Sequence, residues 1–359
     1  MNKSKSIWLF RSNLRILEDY HKTEISSIEE FENICPDFWL LQLIEFLRQD
    51  GFDEAVVWRL YPPDNNKDLD TVISFIINNK TKKLYQRFVD SFEDIFNPFE
   101  NMYNHCTPEF TLFRGGFPEY DLIVNKYKKF LGKTLYCGAG KRIYPQYRGS
   151  YDLILVEDTR DINDKYKCIP FYKTASPNHF YMNDTEPIHD ICFIANFSQQ
   201  KYKGQEFFIK EVSESEFLQS LKIIHIGNNE EIGKELCKKY NVTNIKFEGY
   251  KPKQYLNKII NQSKFGLICS NQNDGCPRVI TEILLCGTPI IIRDSTRLLN
   301  YYKSNGVVGF FDNEVEKVFR IAMSAYPLVK EQAISGRNKL SLQNICKKNM
   351  ESWKRETCI

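Results

Sequence analysis

The residues of this sequence with the clearest chemical spacing lie in the segment 274–292. Asp274 and Gly275 follow an apolar, strand-like run and a polar loop, and Pro277 stands at a plausible first helical position. Glu282 comes about one turn later. A helix that starts directly after a strand of an α/β sheet presents free backbone N–H groups, which bind anions. The spacing therefore predicts a nucleotide site, with the diphosphate at the helix start and the ribose hydroxyls on the Glu282 carboxylate.

The same segment has a second interpretation, an ordinary strand-loop-helix unit whose acidic residues only favour the helix start. The flanking sequence helps to decide between these two interpretations, because it contains further strand, glycine and helix patterns in a definite order. Apolar strands end near Asn196, Gly227 and Gly249. Lys203 follows the first of these strands, and residues 253–263 have the apolar spacing of an amphipathic helix.

Residues 188–312 resemble the donor domain of the retaining GT-B glycosyltransferases, that is, glycosyltransferase family 4 or glycosyl transferases group 1. The family pattern is a carboxylate, seven residues, a glutamate and then Gly-Thr-Pro, and this sequence has Asp274, Glu282 and Gly287 in that spacing. Elements matched in this order are hard to obtain by chance. The sequence departs from the pattern at Asp274, which replaces the usual glutamate, and at Asn196, where the family commonly has an arginine.

The resemblance implies a role for each matched residue. Lys203, Arg278 and Asp274 are expected to act in catalysis, the two cations by stabilising phosphate charge. Arg278 is the candidate substitute for the missing loop arginine, and Arg293 is the next candidate. The expected donor-binding residues lie at strand ends or at the motif helix, and they are Gly275, Cys276, Pro277, Glu282, Gly249, Asn196 and Ser270.

The resemblance also implies the reaction. A hexosyl group is expected to move from a nucleoside-diphosphate sugar, with UDP or GDP as the nucleotide, to an acceptor hydroxyl with retention of the anomeric configuration. In the family the leaving phosphate itself helps to deprotonate the acceptor, and no metal or other cofactor is required. The acceptor class stays open among glycans, lipid-linked acceptors and protein-linked acceptors. A nucleotide-sugar epimerase on the same scaffold and a non-catalytic protein that binds sugar or partners also stay open.

The composition, with 42% hydrophobic and 26% charged residues among 359, is that of an ordinary soluble globular protein, and this length predicts two domains. A net charge of +3 without a dense basic stripe argues against nucleic-acid binding. The apolar runs are too short for a transmembrane segment or a signal-peptide core. The 11 cysteines are scattered without metal-type spacing, which predicts free thiols, no metal site and a cytoplasmic location.

The predicted fold class is α/β: GT-B, with two Rossmann-like domains whose parallel sheets face a central cleft. Residues 1–184 are expected to form the acceptor-side domain and residues 185–339 the donor domain. A C-terminal helix within residues 340–359 is expected to cross back to the first domain. In that first domain, strands are predicted over residues 6–10, 55–60, 111–113, 134–137 and 153–156, and helices over residues 37–50, 69–78 and 119–131.

The first domain offers one suggestive loop. Arg114, Gly115 and Gly116 follow a predicted strand, and Gly138 follows the next one, so these residues are candidates for the acceptor side of the cleft. Two glycines permit a ligand to approach the backbone closely. A plain tight turn is an equally acceptable interpretation of the same residues.

Overall fold

The computed structural model describes residues 5–11, 27–35, 37–49, 51–60, 70–96, 107–138, 150–157, 164–197, 203–271, 277–294 and 300–358. These residues form two compact units. The first unit takes its residues from Met1–Glu157, Asp161–Tyr172 and Ile345–Ile359, and the second takes them from Lys173–Asn344. None of the described helices is long and apolar enough to cross a membrane.

The first unit is built on one sheet. Its strands are β1 (Ser6–Arg11), β2 (Glu54–Leu60), β3 (Thr71–Ile77), β4 (Lys80–Val89), β5 (Pro108–Arg114), β6 (Lys133–Cys137), β7 (Leu153–Val156) and β8 (Cys168–Pro170). The helices that accompany these strands are α1 (Ile28–Ile34), α2 (Phe38–Gln49) and α3 (Pro118–Tyr127). The strand order is β3-β4-β2-β1-β5-β6-β7-β8, and the strands are parallel except in the pair β3 and β4.

The helix predicted over residues 69–78 is wrong, because Thr71–Ile77 is the strand β3. This strand forms a hairpin with β4, and Asn78 and Asn79 make the turn with φ angles of 51° and 61°. Asparagine tolerates this left-handed conformation better than most residues do, and two such residues in succession favour a tight hairpin. The β-branched residues before the turn suit a strand better than a helix.

Aromatic rings fill the core of the first unit. Phe10 of β1 stacks on Phe113 of β5 with the ring centroids 4.7 Å apart, and Trp8 meets Trp58 edge to face at 5.4 Å. The strand order reverses between β1 and β5, so the carboxyl ends of these two strands flank a switch point, where α/β sheets commonly bind ligands.

The second unit is built on a fully parallel sheet. Its strands are β9 (His189–Ile194), β10 (Ile223–Ile226), β11 (Ile245–Phe247), β12 (Ser263–Ile268), β13 (Ile290–Arg293) and β14 (Val307–Phe310). Its helices are α4 (Gln205–Ser213), α5 (Glu216–Ser220), α6 (Glu230–Tyr240), α7 (Lys253–Asn261), α8 (Val279–Leu285), α9 (Asn300–Lys303), α10 (Val315–Ser324) and α11 (Tyr326–Gly336). The order β11-β10-β9-β12-β13-β14 is that of a Rossmann sheet, with the switch point between β9 and β12.

The last helix, α12 (Leu342–Thr357), packs mainly in the first unit. Trp353 is fully buried there, and its ring lies 5.3 Å from that of Phe46 and 6.3 Å from that of Phe171. Asn349 adds a two-point hydrogen bond to the backbone of Tyr172, because its Oδ1 accepts from the Tyr172 N–H and its Nδ2 donates to the Tyr172 carbonyl.

Lys173, which follows Tyr172 in the chain, has both of its backbone groups hydrogen-bonded in the same way within the second unit. The buried Tyr302 hydroxyl accepts from the Lys173 N–H at 2.8 Å and donates to the Lys173 carbonyl at 2.9 Å. Residues 178–187 also lie within the second unit. Asn257 and Asn261 of α7 accept hydrogen bonds from the backbone of Tyr181 and Asn183, which fixes this extended segment.

His225 on β10 is buried in the core of the second unit. It is 2% exposed and lies between the rings of Phe193, Phe197 and Phe247, with centroid distances of 4.8 to 5.4 Å. Neither ring nitrogen has a hydrogen-bond partner among the described residues. Burial lowers the pKa of His225 from its ordinary 6.5 to about 4, because the charged form would lose its hydration.

We expect the protein to lose stability as the pH falls from 6.5 towards 4. In that window the unfolded chain takes up a proton that native His225 does not, so each step down in pH favours unfolding. Once the whole pH window has been crossed, His225 alone should have lowered the free energy of unfolding by on the order of 3 kcal/mol. His225→Phe should therefore flatten the dependence of the unfolding free energy on pH, as measured by urea denaturation at pH 7.5 and 5.0.

His189→Gln is the matched control, since His189 is only partly buried and should flatten the dependence less. An identical pH dependence in the wild type and in His225→Phe would contradict the interpretation of His225.

Candidate functional site

A pocket of about 340 Å³ opens at the carboxyl edge of the second sheet, at its switch point. It is bounded by the ends of β9 and β10, by the residues after β11, and by the first turns of α7 and α8. The described residues that line it are Ile194, Ala195, Asn196, Lys203, Ile226, Gly227, Tyr250, Lys251, Lys253, Leu256, Pro277, Arg278, Val279 and Glu282. The polar side chains among them include lysines, an arginine and a single carboxylate, so the pocket suits an anionic ligand.

Close backbone packing brings the elements of the pocket together. A Cβ on Gly204 would lie 2.1 Å from the carbonyl oxygen of Cys269, and a Cβ on Gly227 would lie 2.1 Å from that of Ala195. Any side chain at these positions would push the start of α4 away from β12, or β10 away from β9. Gly204 thus lets the backbone next to Lys203 approach the end of β12 at the pocket.

Asn196 has a structural contact as well as a place in the pocket. Its Oδ1 accepts a hydrogen bond of 2.8 Å from the Asn228 N–H, and its carbonyl accepts from Gln205 Nε2 at 2.9 Å. These bonds tie the loop after β9 to the loop after β10 and to α4. The residue at the place of the usual family arginine therefore organises the pocket wall instead of contributing a positive charge.

Glu282 lies on α8, which begins two residues after Pro277, and it is partly buried at the pocket. Burial raises the pKa of the Glu282 carboxyl, and the nearby cations Arg278 and Lys253 oppose that rise. A carboxylate in this setting gains strongly from hydroxyl donors, because they replace the water it has lost. Its position one turn into the helix is the one that the sequence predicted.

The two predicted cations also line the pocket, with different exposure. Lys203 is partly buried just before α4, whereas Arg278 is exposed and directly precedes α8. Arg293, the second candidate for the phosphate-binding arginine, is not among the described lining residues and is held by other contacts. Its Nε donates to Asp312 Oδ1 at 2.5 Å, and its guanidinium lies 4.0 Å above the ring of Phe207. The geometry thus favours Arg278 over Arg293 at the pocket.

The other predicted donor residues are placed as follows. Asp274, Gly275 and Cys276 lie outside the described residues. Ser270 is buried after β12 and is not among the described lining residues. Gly249 has a φ of +65°, and its carbonyl accepts a 3.0 Å hydrogen bond from the Gly227 N–H, so it fixes the turn that leads to Tyr250.

The suggestive loop of the first unit stands at the carboxyl end of β5. Arg114 forms an ion pair of 2.6 Å with Glu157, donates to the Cys137 sulfur at 2.9 Å and stacks on the Trp39 ring at 5.0 Å. Gly115 adopts a φ of +114° and donates its N–H to the Cys137 carbonyl. Gly116 is exposed and Gly138 is partly buried. An acceptor role for these residues stays a prediction.

The chain is similar in sequence and in fold to known proteins. Residues 188–315 match the family model described as glycosyl transferases group 1. None of the curated proteins matches the sequence. Among solved structures, a glycosyltransferase from Rickettsia africae is similar over 99% of both chains with a TM-score of 0.63 and 13% identity. Sucrose-phosphate synthase from Thermosynechococcus elongatus is similar over 99% of both chains, with a TM-score of 0.62 and 12% identity.

A further similar structure is Anabaena HepE in complex with UDP, with a TM-score of 0.62 and 11% identity over 98% of this chain and 100% of that one. The chain has the GT-B fold. The predicted fold class and the predicted resemblance to glycosyl transferases group 1 are confirmed.

The second unit contains pocket residues that were not among the predicted site residues. Tyr250, Lys251 and Lys253 line the pocket directly after Gly249. Lys251 is oriented by Glu248 at 3.3 Å and by the Tyr255 ring at 5.1 Å. The run Tyr-Lys-Pro-Lys after a strand and a glycine was the available signal, since basic residues at a strand end often face an anionic ligand.

No group of three or more His, Cys, Asp or Glu side chains in the described residues could hold a metal ion.

Proposed function

We propose that this chain is a retaining glycosyltransferase that moves a sugar from a nucleoside-diphosphate sugar to an acceptor hydroxyl. The observation that carries the proposal is the pocket at the switch point of the second sheet, where Lys203 and Arg278 lie with the Glu282 carboxylate. The cations suit a diphosphate, and the carboxylate suits the two hydroxyls of a ribose. The family match of residues 188–315 supports glycosyl transfer.

In the proposed reaction, the bond between the anomeric carbon and the diphosphate oxygen breaks, and negative charge grows on the leaving phosphate. Lys203 and Arg278 lower the energy of that charge electrostatically. The acceptor oxygen bonds to the anomeric carbon on the face that the phosphate leaves, and the phosphate takes the acceptor proton. This scheme requires no side-chain nucleophile and no metal. Asp274 is proposed to contact the donor sugar.

A hexose linked to UDP or GDP is the proposed donor. One similar structure is described as Anabaena HepE in complex with UDP-glucose, which makes UDP-glucose the first donor to test. The proposed acceptor is a glycan, a lipid-linked molecule or a protein-linked molecule with a free hydroxyl. A cytoplasmic location is proposed because the described cysteines are free thiols, which suits a reducing compartment.

A donor panel tests the proposal. Binding of UDP-, GDP-, ADP- and TDP-hexoses is measured by calorimetry, and the bound donors are then incubated with candidate acceptors. We expect transfer, with a product whose anomeric configuration by NMR equals that of the donor. An inverted product would contradict retention. An epimerised donor without transfer would support the epimerase, and binding without turnover to any acceptor would support the non-catalytic alternative.

Arg278→Lys should lower kcat by about tenfold or more, and Arg278→Ala should lower it further. Lysine keeps the positive charge but loses the planar fork that binds a phosphate through two hydrogen bonds. The rates are measured at saturating donor. Arg320→Lys on α10 is the matched control, because Arg320 is exposed and pairs with Glu316 outside the pocket. A wild-type rate in both Arg278 variants would show that Arg278 does not contact the phosphate, and Arg293 would be tested next.

A further inference from the structure

The first sheet ends, among the described residues, at the strand β3. Its seven residues, Thr-Val-Ile-Ser-Phe-Ile-Ile, contain no charge and no proline. Soluble proteins usually protect such an edge with lysine, proline, a bulge or a short strand, because its outward N–H and C=O groups pair readily with another strand. β3 has none of these protections, and it is longer than an average strand.

The two faces of β3 differ in their packing. Ile73, Phe75 and Ile77 point into the unit, where Phe75 is 1% exposed and meets the ring of Phe31 on α1 at 5.9 Å. On the opposite face, Val72 is 50% exposed and Ile76 is 80% exposed. Within the described part of the chain, β3 thus combines an edge that no other strand pairs with and an apolar face that is largely exposed.

The sequence of β3 is complementary to itself. When two copies run antiparallel and residue 74 faces residue 74, every one of the seven residues has a partner. In that register Val72 faces Ile76 on the exposed face, and Ile73 faces Phe75 on the covered face. Apolar and β-branched residues in such cross-strand pairs stabilise a sheet, and no like charges are brought together.

We propose that two copies of this protein associate through β3, so that the first sheet continues from one copy into the other about a two-fold axis at Ser74. A second copy fits this edge better than a charged partner does, because β3 offers no charge to complement. The closed two-fold arrangement uses the β3 edge of both copies, so association does not propagate further through this edge.

Sedimentation velocity on the full chain, over a concentration series, tests the proposal. We expect a reversible monomer–dimer equilibrium in the wild type. Ile76→Lys should raise the dimer dissociation constant about tenfold or more, because it places an unpaired charge against Val72 of the second copy. Leu122→Lys is the matched control, since Leu122 is a 61% exposed apolar residue on α3 and should leave the constant unchanged.

The double variant Val72→Glu with Ile76→Lys provides a rescue. In the proposed register, the carboxylate introduced at position 72 faces the ammonium introduced at position 76 of the second copy, so the dimer should return and become sensitive to salt. Circular dichroism confirms that each variant is folded. A wild-type monomer at all concentrations, or a dimer that Ile76→Lys leaves unchanged, would overturn the proposal.

Ser74→Cys reports the register directly. Facing residues in an antiparallel pair have Cα atoms about 4.5–5.5 Å apart, a distance that a disulfide can span. Under mild oxidation we expect a covalent dimer from Ser74→Cys, reversed by reductant, and much less of it from the wild type. Equal amounts of covalent dimer in both proteins would contradict a two-fold axis at Ser74.

Discussion

Glu282→Ala should bind the donor nucleotide far more weakly than the wild type does and should still fold. The Glu282 carboxylate is the only one among the described lining residues of the pocket. In the proposed function it accepts hydrogen bonds from two ribose hydroxyls. Each hydrogen bond to a charged group contributes on the order of 1.5–3 kcal/mol. The loss of one such bond already corresponds to about tenfold in affinity, and the loss of both to more than a hundredfold.

The same substitution should raise, or at least preserve, the stability of the unliganded protein at neutral pH. Burial raises the pKa of Glu282 in the folded state, so the ionised carboxyl disfavours folding at every pH above its ordinary 4.5. Removing it should therefore help the empty protein at pH 7 and have little effect below pH 4.5. The combination of weaker binding and undiminished stability distinguishes a ligand-binding carboxylate from a structural one.

Calorimetry with UDP and thermal melting at pH 7 and pH 4 give the two readouts. Glu331→Ala is the matched control, because Glu331 is an exposed glutamate of α11 in the same unit. An unchanged nucleotide affinity in folded Glu282→Ala would refute the assignment of Glu282 to the ribose.

Lys203→Ala should mainly reduce turnover. Negative charge on the phosphate grows between the bound donor and the transition state, so a cation at that phosphate stabilises the transition state more than the ground state. We expect kcat to fall by about a hundredfold or more, while KM for the donor changes less. Nucleoside monophosphate, which lacks the β-phosphate, should lose less affinity than nucleoside diphosphate does.

Steady-state kinetics and competition binding with both nucleotides provide these values. Lys210→Ala is the control, since Lys210 lies on α4, the helix that follows Lys203, and pairs with the exposed Glu214 at the surface. Equal loss of affinity for monophosphate and diphosphate would place Lys203 away from the β-phosphate.

Much of the second unit could be predicted from local sequence. Strand, glycine and helix succeed one another there with regular spacing, and apolar runs indicate the parallel strands. The spacing predicted Glu282 at a nucleotide site, the resemblance to the family implied Lys203 and Arg278, and all three line the pocket. In the first unit, the prediction of a helix over residues 69–78 is wrong because the Asn78-Asn79 turn pairs residues 71–77 with β4 as a strand.

The sequence by itself determined the α/β class, the resemblance to glycosyl transferases group 1 and the side chains at the motif helix, because these depend on short-range patterns. Only the tertiary structure showed that Asn196 organises the pocket wall, that Arg293 is held by Asp312, and that Lys251 and Lys253 join the site. It also showed that Arg114 pairs with Glu157. Each of these contacts joins residues from different strands or loops, and no local periodicity records which strand ends meet at one edge of a sheet.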